Sequence, residues 1–165
     1  ALRFPGCYLT FAALPGSGGT AAGQVSITKM RDVFQAGNIS GETLGFGVLG
    51  PEGGSEAEWR VMTARLRKGG LNAVYLPLKT APGEDLLTCL GKMHSLGIVG
   101  CRVEPDWQGP ALTLAGDLSV AARRQGKVNT LTVVDGVWRG DWLGGEGMAL
   151  AEAQLQHWLA VFSEA

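Results

Sequence analysis

A chain of 165 residues with 45% apolar and 18% charged side chains is long enough to bury a real core, and its composition excludes a disordered chain. A formal net charge of −1 excludes a strongly basic nucleic-acid-binding face, and no run of Lys or Arg tracks a phosphate backbone. No apolar stretch reaches the length of a membrane span, because Gly, Asp or Arg interrupts each one.

The N-terminal ALRFPGCYLTFAAL lacks a basic leader with a clear cleavage site and reads as a strand, Cys7 to Leu14. It runs into the glycine-rich loop PGSGGTAAGQ. A helix is expected from Ile27 to Gln35, capped by Ser26 or Thr28. The stretch ending at Thr43, small and polar, reads as a linker. Strand and helix patterns then alternate. LGFGVLG, Leu44 to Gly50, is a short apolar strand. Ser55 precedes a helix in which Trp59, Met62 and Leu66 recur at helical spacing. Ser55 and Glu58 form a capping box: the hydroxyl bonds a free N–H and the carboxylate reaches back. Arg65, Arg67 and Lys68 read as a solvated face.

The next strand is Asn72 to Leu78, where Pro77 argues for a sheet edge. A helix over 83–96 carries an apolar stripe of Leu86, Leu87, Leu90, Met93 and His94. The strand IVGCRVE follows, then a helix-prone stretch through Ala111 to Leu114 and a short helix from Asp117 to Arg124. Asp135-Gly136 marks the turn of a hairpin. An apolar-rich helix from Met148 to Phe162 closes the chain. This order predicts an α/β three-layer sandwich with a mostly parallel, mixed sheet. Cys7, Cys89 and Cys101 are odd in number and far apart, which suits a thiol-reducing cytoplasm, and with His94 and His157 they show no metal-ligand spacing. Cys89 and Cys101 read as core residues. Trp107, Trp138 and Trp142 read as cleft-filling aromatics and His94 as structural.

The strings LNAVYLPL at 71–78, LGIVGCRV at 96–103 and AARRQGKVNTLTVVDGVWRGD at 121–141 resemble the substrate-binding domain of the shikimate dehydrogenase family. The resemblance runs from Leu44 to the C-terminus. It implies a two-domain enzyme that reduces 3-dehydroshikimate with NADPH, with substrate held between this domain and a nucleotide-binding domain. Two serines of such proteins hold the substrate carboxylate; here those positions fall on Glu56 and Glu58, whose charges would repel it. The family motif N-V-T-x-P-x-K falls on RVEPDWQ, so its Asn becomes Arg102, its Thr Glu104 and its proton-handling Lys Gln108. A neutral amide donates no proton. The family N-T-D-G falls on Trp142, Leu143, Gly144 and Gly145, placing Gly144 where the catalytic Asp is required. Asn129 and Thr130 remain as substrate-binding candidates.

No strand–GxGxxG–helix unit is visible; GGEGM at 144–148 follows a hairpin. NADP is therefore expected only if a nucleotide domain exists elsewhere, and no cofactor, metal or catalytic residue is expected in this chain. A second resemblance covers LTFAALPGSGGTAAGQVSI, which is similar to the end of a type I 3-dehydroquinate dehydratase, whose last strand leads into a substrate-covering loop. It implies that Thr20 and Gln24 face a substrate. Together the resemblances divide the chain into 1–37 (barrel end), 38–43 (linker) and 44–165 (dehydrogenase-like domain).

The expected protein is a piece of a bifunctional dehydratase/dehydrogenase of aromatic amino acid biosynthesis, non-catalytic as it stands. Its partners would be the remainder of that fusion and a shikimate-like small molecule, not nucleic acid or membrane. Two alternatives are a reductase with a rewired site of Arg102, Glu104, Asp106 and Gln108 and a missing nucleotide domain, and a ligand-sensing regulatory module.

Overall fold

The computed structural model of the chain describes residues 12–14, 24–80 and 85–163. The loop candidate Thr20 and the cysteine Cys7 lie outside them, as does most of the expected first strand. Of that strand, Ala13 forms a parallel bridge with Ser26, its N–H donating to the Val25 carbonyl at 3.0 Å and its carbonyl accepting from Ile27 at 2.9 Å.

Helix α1 (Ile27–Asp32) starts at Ser26, whose hydroxyl accepts from the Lys29 N–H. It stops short of the expected Gln35, which adopts a left-handed φ of 50° and opens a single 3-10 turn at Ala36–Asn38. The stretch after α1 is packed. Val33 and Phe34 are buried in the core, Ile39 packs against it, and buried Thr43 donates to the Asn72 side chain at 3.0 Å.

Strand β1 (Leu44–Gly50) is buried on both faces, as suits a central strand. Ser55 caps α2 (Glu56–Lys68), and β2 (Ala73–Lys79) lies parallel to β1 at the sheet edge, where Pro77 removes no ladder bond. Helix α3 (Leu86–Ser95) is capped by Asp85. Its buried stripe is Leu86, Cys89, Leu90 and Met93. The expected Leu87 and His94 are exposed instead, because each sits about 100° further round the helix than its neighbour in the stripe. Strand β3 (Ile98–Val103) returns parallel to β1, and α4 (Pro105–Leu114) begins with Pro at its first position.

The short helix expected from Asp117 divides into a two-residue edge strand, β4 (Asp117–Leu118), and α5 (Val120–Gln125), because Ser119 takes the cap position with extended backbone. The hairpin β5 (Thr130–Val134) and β6 (Val137–Asp141) turns on Asp135 and Gly136 with φ of 50° and 77°, the left-handed pair that a two-residue turn requires. Helix α6 (Gly147–Phe162) follows.

The strands form one sheet in the order β2-β1-β3-β5-β6-β4, with β3/β5 and β5/β6 antiparallel and the other neighbours parallel. On one face α2, α6 and the Val33–Phe34 stretch bury Phe46, Val48, Tyr75, Leu155 and Trp158. On the other, α3, α4 and α5 cover Leu49, Cys101, Val103 and Leu131. The expected three-layer α/β sandwich is the observed fold. Among the described residues no helix is long and apolar enough to cross a membrane.

Candidate functional site

Parallel strands β1 and β3 end beside each other, and the turn from β1 into α2, Gly50 to Ser55, lies over their carboxyl ends. Crevices at this end of a parallel sheet are where α/β proteins bind ligands. In this chain the crevice holds four polar side chains in two groups.

The first group joins α2, β2 and β3. Arg102 Nε donates to Glu58 Oε1 at 3.1 Å and Nη2 donates to Oε2 at 3.0 Å, a bidentate pair. The Tyr75 hydroxyl donates to the same Oε1 at 3.3 Å. Burial opposes the guanidinium charge, but the hydrogen bonds and charge of Glu58 more than offset it, so the Arg102 pKa is raised. Burial, with the Glu58 charge added, holds the Tyr75 hydroxyl well above its ordinary range, so it remains a donor. The capping box is thus half formed: the Ser55 hydroxyl accepts from the Glu58 N–H at 3.2 Å, while the Glu58 carboxylate turns to Arg102. Its charge is paired within the chain, which removes the repulsion expected at this position. Glu56 lies outside the group, in ion pairs with Lys29 at 3.0 Å and Arg60 at 3.4 Å.

The second group is Glu104, buried at the start of α4. It makes no cap bond to its own helix. Its Oε2 accepts from the Glu52 N–H at 3.1 Å and its Oε1 from the Gly54 N–H at 3.2 Å, so one carboxylate satisfies two amides of the turn. Gly50 is required for that approach: a Cβ there would stand 2.3 Å from Glu104 Oε2.

Other expected site residues are also held internally. The Gln108 side-chain amide donates to the Val103 carbonyl at 3.1 Å. Asn129 is buried and clamps the backbone of Leu143, its Nδ2 donating to the carbonyl at 2.7 Å and its Oδ1 accepting from the N–H at 2.9 Å. Thr130 donates to Asn129 Oδ1 at 3.1 Å and accepts from Gln154 Nε2 at 2.9 Å. Asp106 and Gly144 are exposed, Trp107, Trp138 and Trp142 are half-buried against the α3–α5 face, and Gln24 lies two residues before the α1 cap. Cys89 and Cys101 are buried, and burial pushes the Cys101 thiol pKa well up. Arg67, read as solvated, instead donates to the Ala73 carbonyl at 2.8 Å.

Sequence reasoning missed the partners. Tyr75 and Glu58 are 17 residues apart and Arg102 and Glu58 are 44 apart. The available signal was that two departures of opposite charge, Glu58 and Arg102, occur together where the resemblance has neutral side chains.

The fold is of the α/β class, a mixed sheet between helices with a polar crevice at the carboxyl ends of parallel strands. No family model matches the chain. It is 34% identical over 110 residues to the shikimate dehydrogenase (NADP(+)) of Rhodospirillum rubrum, covering 66% of this chain and 38% of that protein. A crystal structure of a shikimate dehydrogenase in complex with NADP+ matches with a TM-score of 0.54 and 25% identity, covering 61% of this chain and 35% of that one. Quinate dehydrogenase from Corynebacterium glutamicum in complex with NAD matches with a TM-score of 0.54 and 25% identity, over 59% of this chain and 36% of that one. The chain spans about a third of the length of the curated relatives it matches. It carries a shikimate dehydrogenase-like α/β domain.

A nicotinamide dinucleotide places its pyrophosphate on free amides at a glycine-rich strand-to-helix turn. The β1–α2 turn does not fit that group. Its Glu52 and Gly54 amides are taken by Glu104, and Glu56 and Glu58 stand in the first turn of α2.

Proposed function

We propose that this chain is the shikimate dehydrogenase-like part of a larger cytoplasmic protein of aromatic amino acid biosynthesis, one that joins it to a 3-dehydroquinate dehydratase. In this reading the domain does not itself carry out the NADP-linked reduction, and it serves the assembly or stability of its partner. Residues 1–37 are read as the dehydratase end, with Thr20 and Gln24 facing that enzyme's substrate.

One observation carries the non-catalytic reading. The polar side chains at the positions the resemblance assigns to substrate and proton transfer are engaged within the chain: Glu58 with Arg102, Glu104 with two amides, Gln108 with Val103 and Asn129 with Leu143. Gly144 has no side chain to act as an acid or base. Neither Gly144 nor the neutral amide of Gln108 can hand a proton to a developing alkoxide.

The test is to assay the parent protein with 3-dehydroquinate, and separately with shikimate and NADP+. Dehydration without nicotinamide reduction is expected. Shikimate-dependent reduction of NADP+ would overturn the reading.

A further inference from the structure

Two anion-holding elements meet at Gly54, and each is filled by a carboxylate of the chain itself. The backbone amides of Glu52 and Gly54 hold Glu104, and a Cβ on Gly54 would lie 2.8 Å from Glu58 Oε2, which Arg102 holds. The Glu104 half is buried and structural. The Arg102 half differs in three ways.

Its two donors come from the sheet, Arg102 from β3 and Tyr75 from β2. Its occupant comes from another layer, since Glu58 reaches in from the first turn of α2. Water also reaches the pair, since the side chains of Arg102 and Glu58 are each 22% exposed. A planar guanidinium fork with a phenol beside it matches the two oxygens of any carboxylate.

We infer that Arg102 with Tyr75 is a receptor for small monocarboxylates, kept closed by Glu58 acting as a tethered internal ligand. A tethered group competes at an effective concentration on the order of millimolar or above, so free carboxylates below that level do not displace it. The inference builds on the reading that this crevice performs no reduction, and it assigns the crevice a ligand class and a latch. Removing Glu58 leaves a partly buried cation unpaired, which a carboxylate from solution then neutralises.

Glu58→Ser and Glu58→Ala variants of the full chain, in sodium formate or in sodium chloride of equal ionic strength, test this. Both variants are expected to unfold at lower temperature than the wild type. Formate, unlike chloride, is expected to raise their Tm steadily with the logarithm of its concentration and to give a saturable one-site heat by calorimetry. The wild type is expected to show neither response, and adding Arg102→Met to Glu58→Ser is expected to abolish both. Folded variants with no formate-specific response, or a wild type that responds equally, would overturn the inference. If Glu58→Ala does not fold, refolding yield reads the same receptor: recovery in formate alone supports it and equal yields in the two salts overturn it. Nicotinamide reduction by the parent would overturn the functional reading above without touching this result.

Discussion

At the scale of single residues, Glu104 shows how a carboxylate becomes structural. It is buried, yet it offers two oxygens to two N–H groups of a turn that has no strand partner. Hydrogen bonds to a charged acceptor are worth more than neutral ones, and losing the acceptor strands both donors. Glu104→Ala is therefore expected to destabilise the fold by about 3 kcal/mol, measured as a shift of the urea midpoint at unchanged m-value. A variant within experimental error of the wild type would show that water replaces the carboxylate. The sequence disclosed that Glu104, Arg102, Glu58 and Gln108 depart from the resemblance, because identity at a position is local information. It did not disclose that Glu58 and Arg102 neutralise each other. That depends on β3 lying beside β1 with α2 above them, a relation created by chain crossing rather than by spacing.

Among elements, those set by local chemistry were legible and those set by packing were not. Strand β1 was readable to the residue because its apolar run ends at a Gly-Pro break, and the hairpin because Asp135-Gly136 suits a left-handed turn. Helix α3 was readable as a helix, but its buried face was not, since Leu87 and His94 are apolar or neutral enough to join a stripe on paper. The stretch after α1 was the least legible. The small polar residues of 38–43 resemble a linker, whereas Ile39 packs against the core and Thr43 is buried. Val33 and Phe34, expected at the end of the helix, follow it instead and insert beneath α2, where Phe34 stacks on Trp59 at 6.0 Å between ring centroids. Lys29 lies over the same indole at 5.7 Å, and that indole donates to the Gly53 carbonyl at 2.7 Å. The segment thus braces the turn that carries the crevice. Phe34→Ala is expected to cost about 3 kcal/mol in a single cooperative transition followed by both tryptophan fluorescence and far-UV circular dichroism. A tether outside the core would leave that transition where it is.

For the whole molecule, the joint between the hairpin and α6 governs the response to mild acid. The β5–β6 face turned toward α6 carries Thr130, Thr132, Arg139 and Asp141, and α6 brings Gln154, His157 and Trp158 against it. The Trp158 indole donates to Thr132 Oγ1 at 3.1 Å, and that hydroxyl lies 3.1 Å from His157 Nε2, where its proton suits a neutral ring. Burial is the main cause that lowers the His157 pKa below its ordinary 6.5; the Asp141 carboxylate, 3.7 Å away, opposes the shift and Arg139 adds to it. An unfolded chain protonates this ring at higher pH than the folded one does. Stability from the neutral ring is therefore complete above about pH 6.5 and is lost as pH falls through the lower folded value. The exposed carboxylates Asp32, Asp85 and Glu152, all with lowered pKa, lose their contributions only below ordinary values of 3.8, 3.8 and 4.5, so the two windows separate. His157→Gln keeps a polar side chain that cannot take up a proton in this range. Its unfolding free energy is expected to lie below that of the wild type near neutrality, where the Thr132 contact is lost, and to fall less steeply as pH drops below 6.5. Denaturant titrations at several pH values between 7.5 and 5 read that slope directly. Parallel slopes for the two proteins would show that proton uptake at the hairpin–α6 joint does not set the stability of the domain.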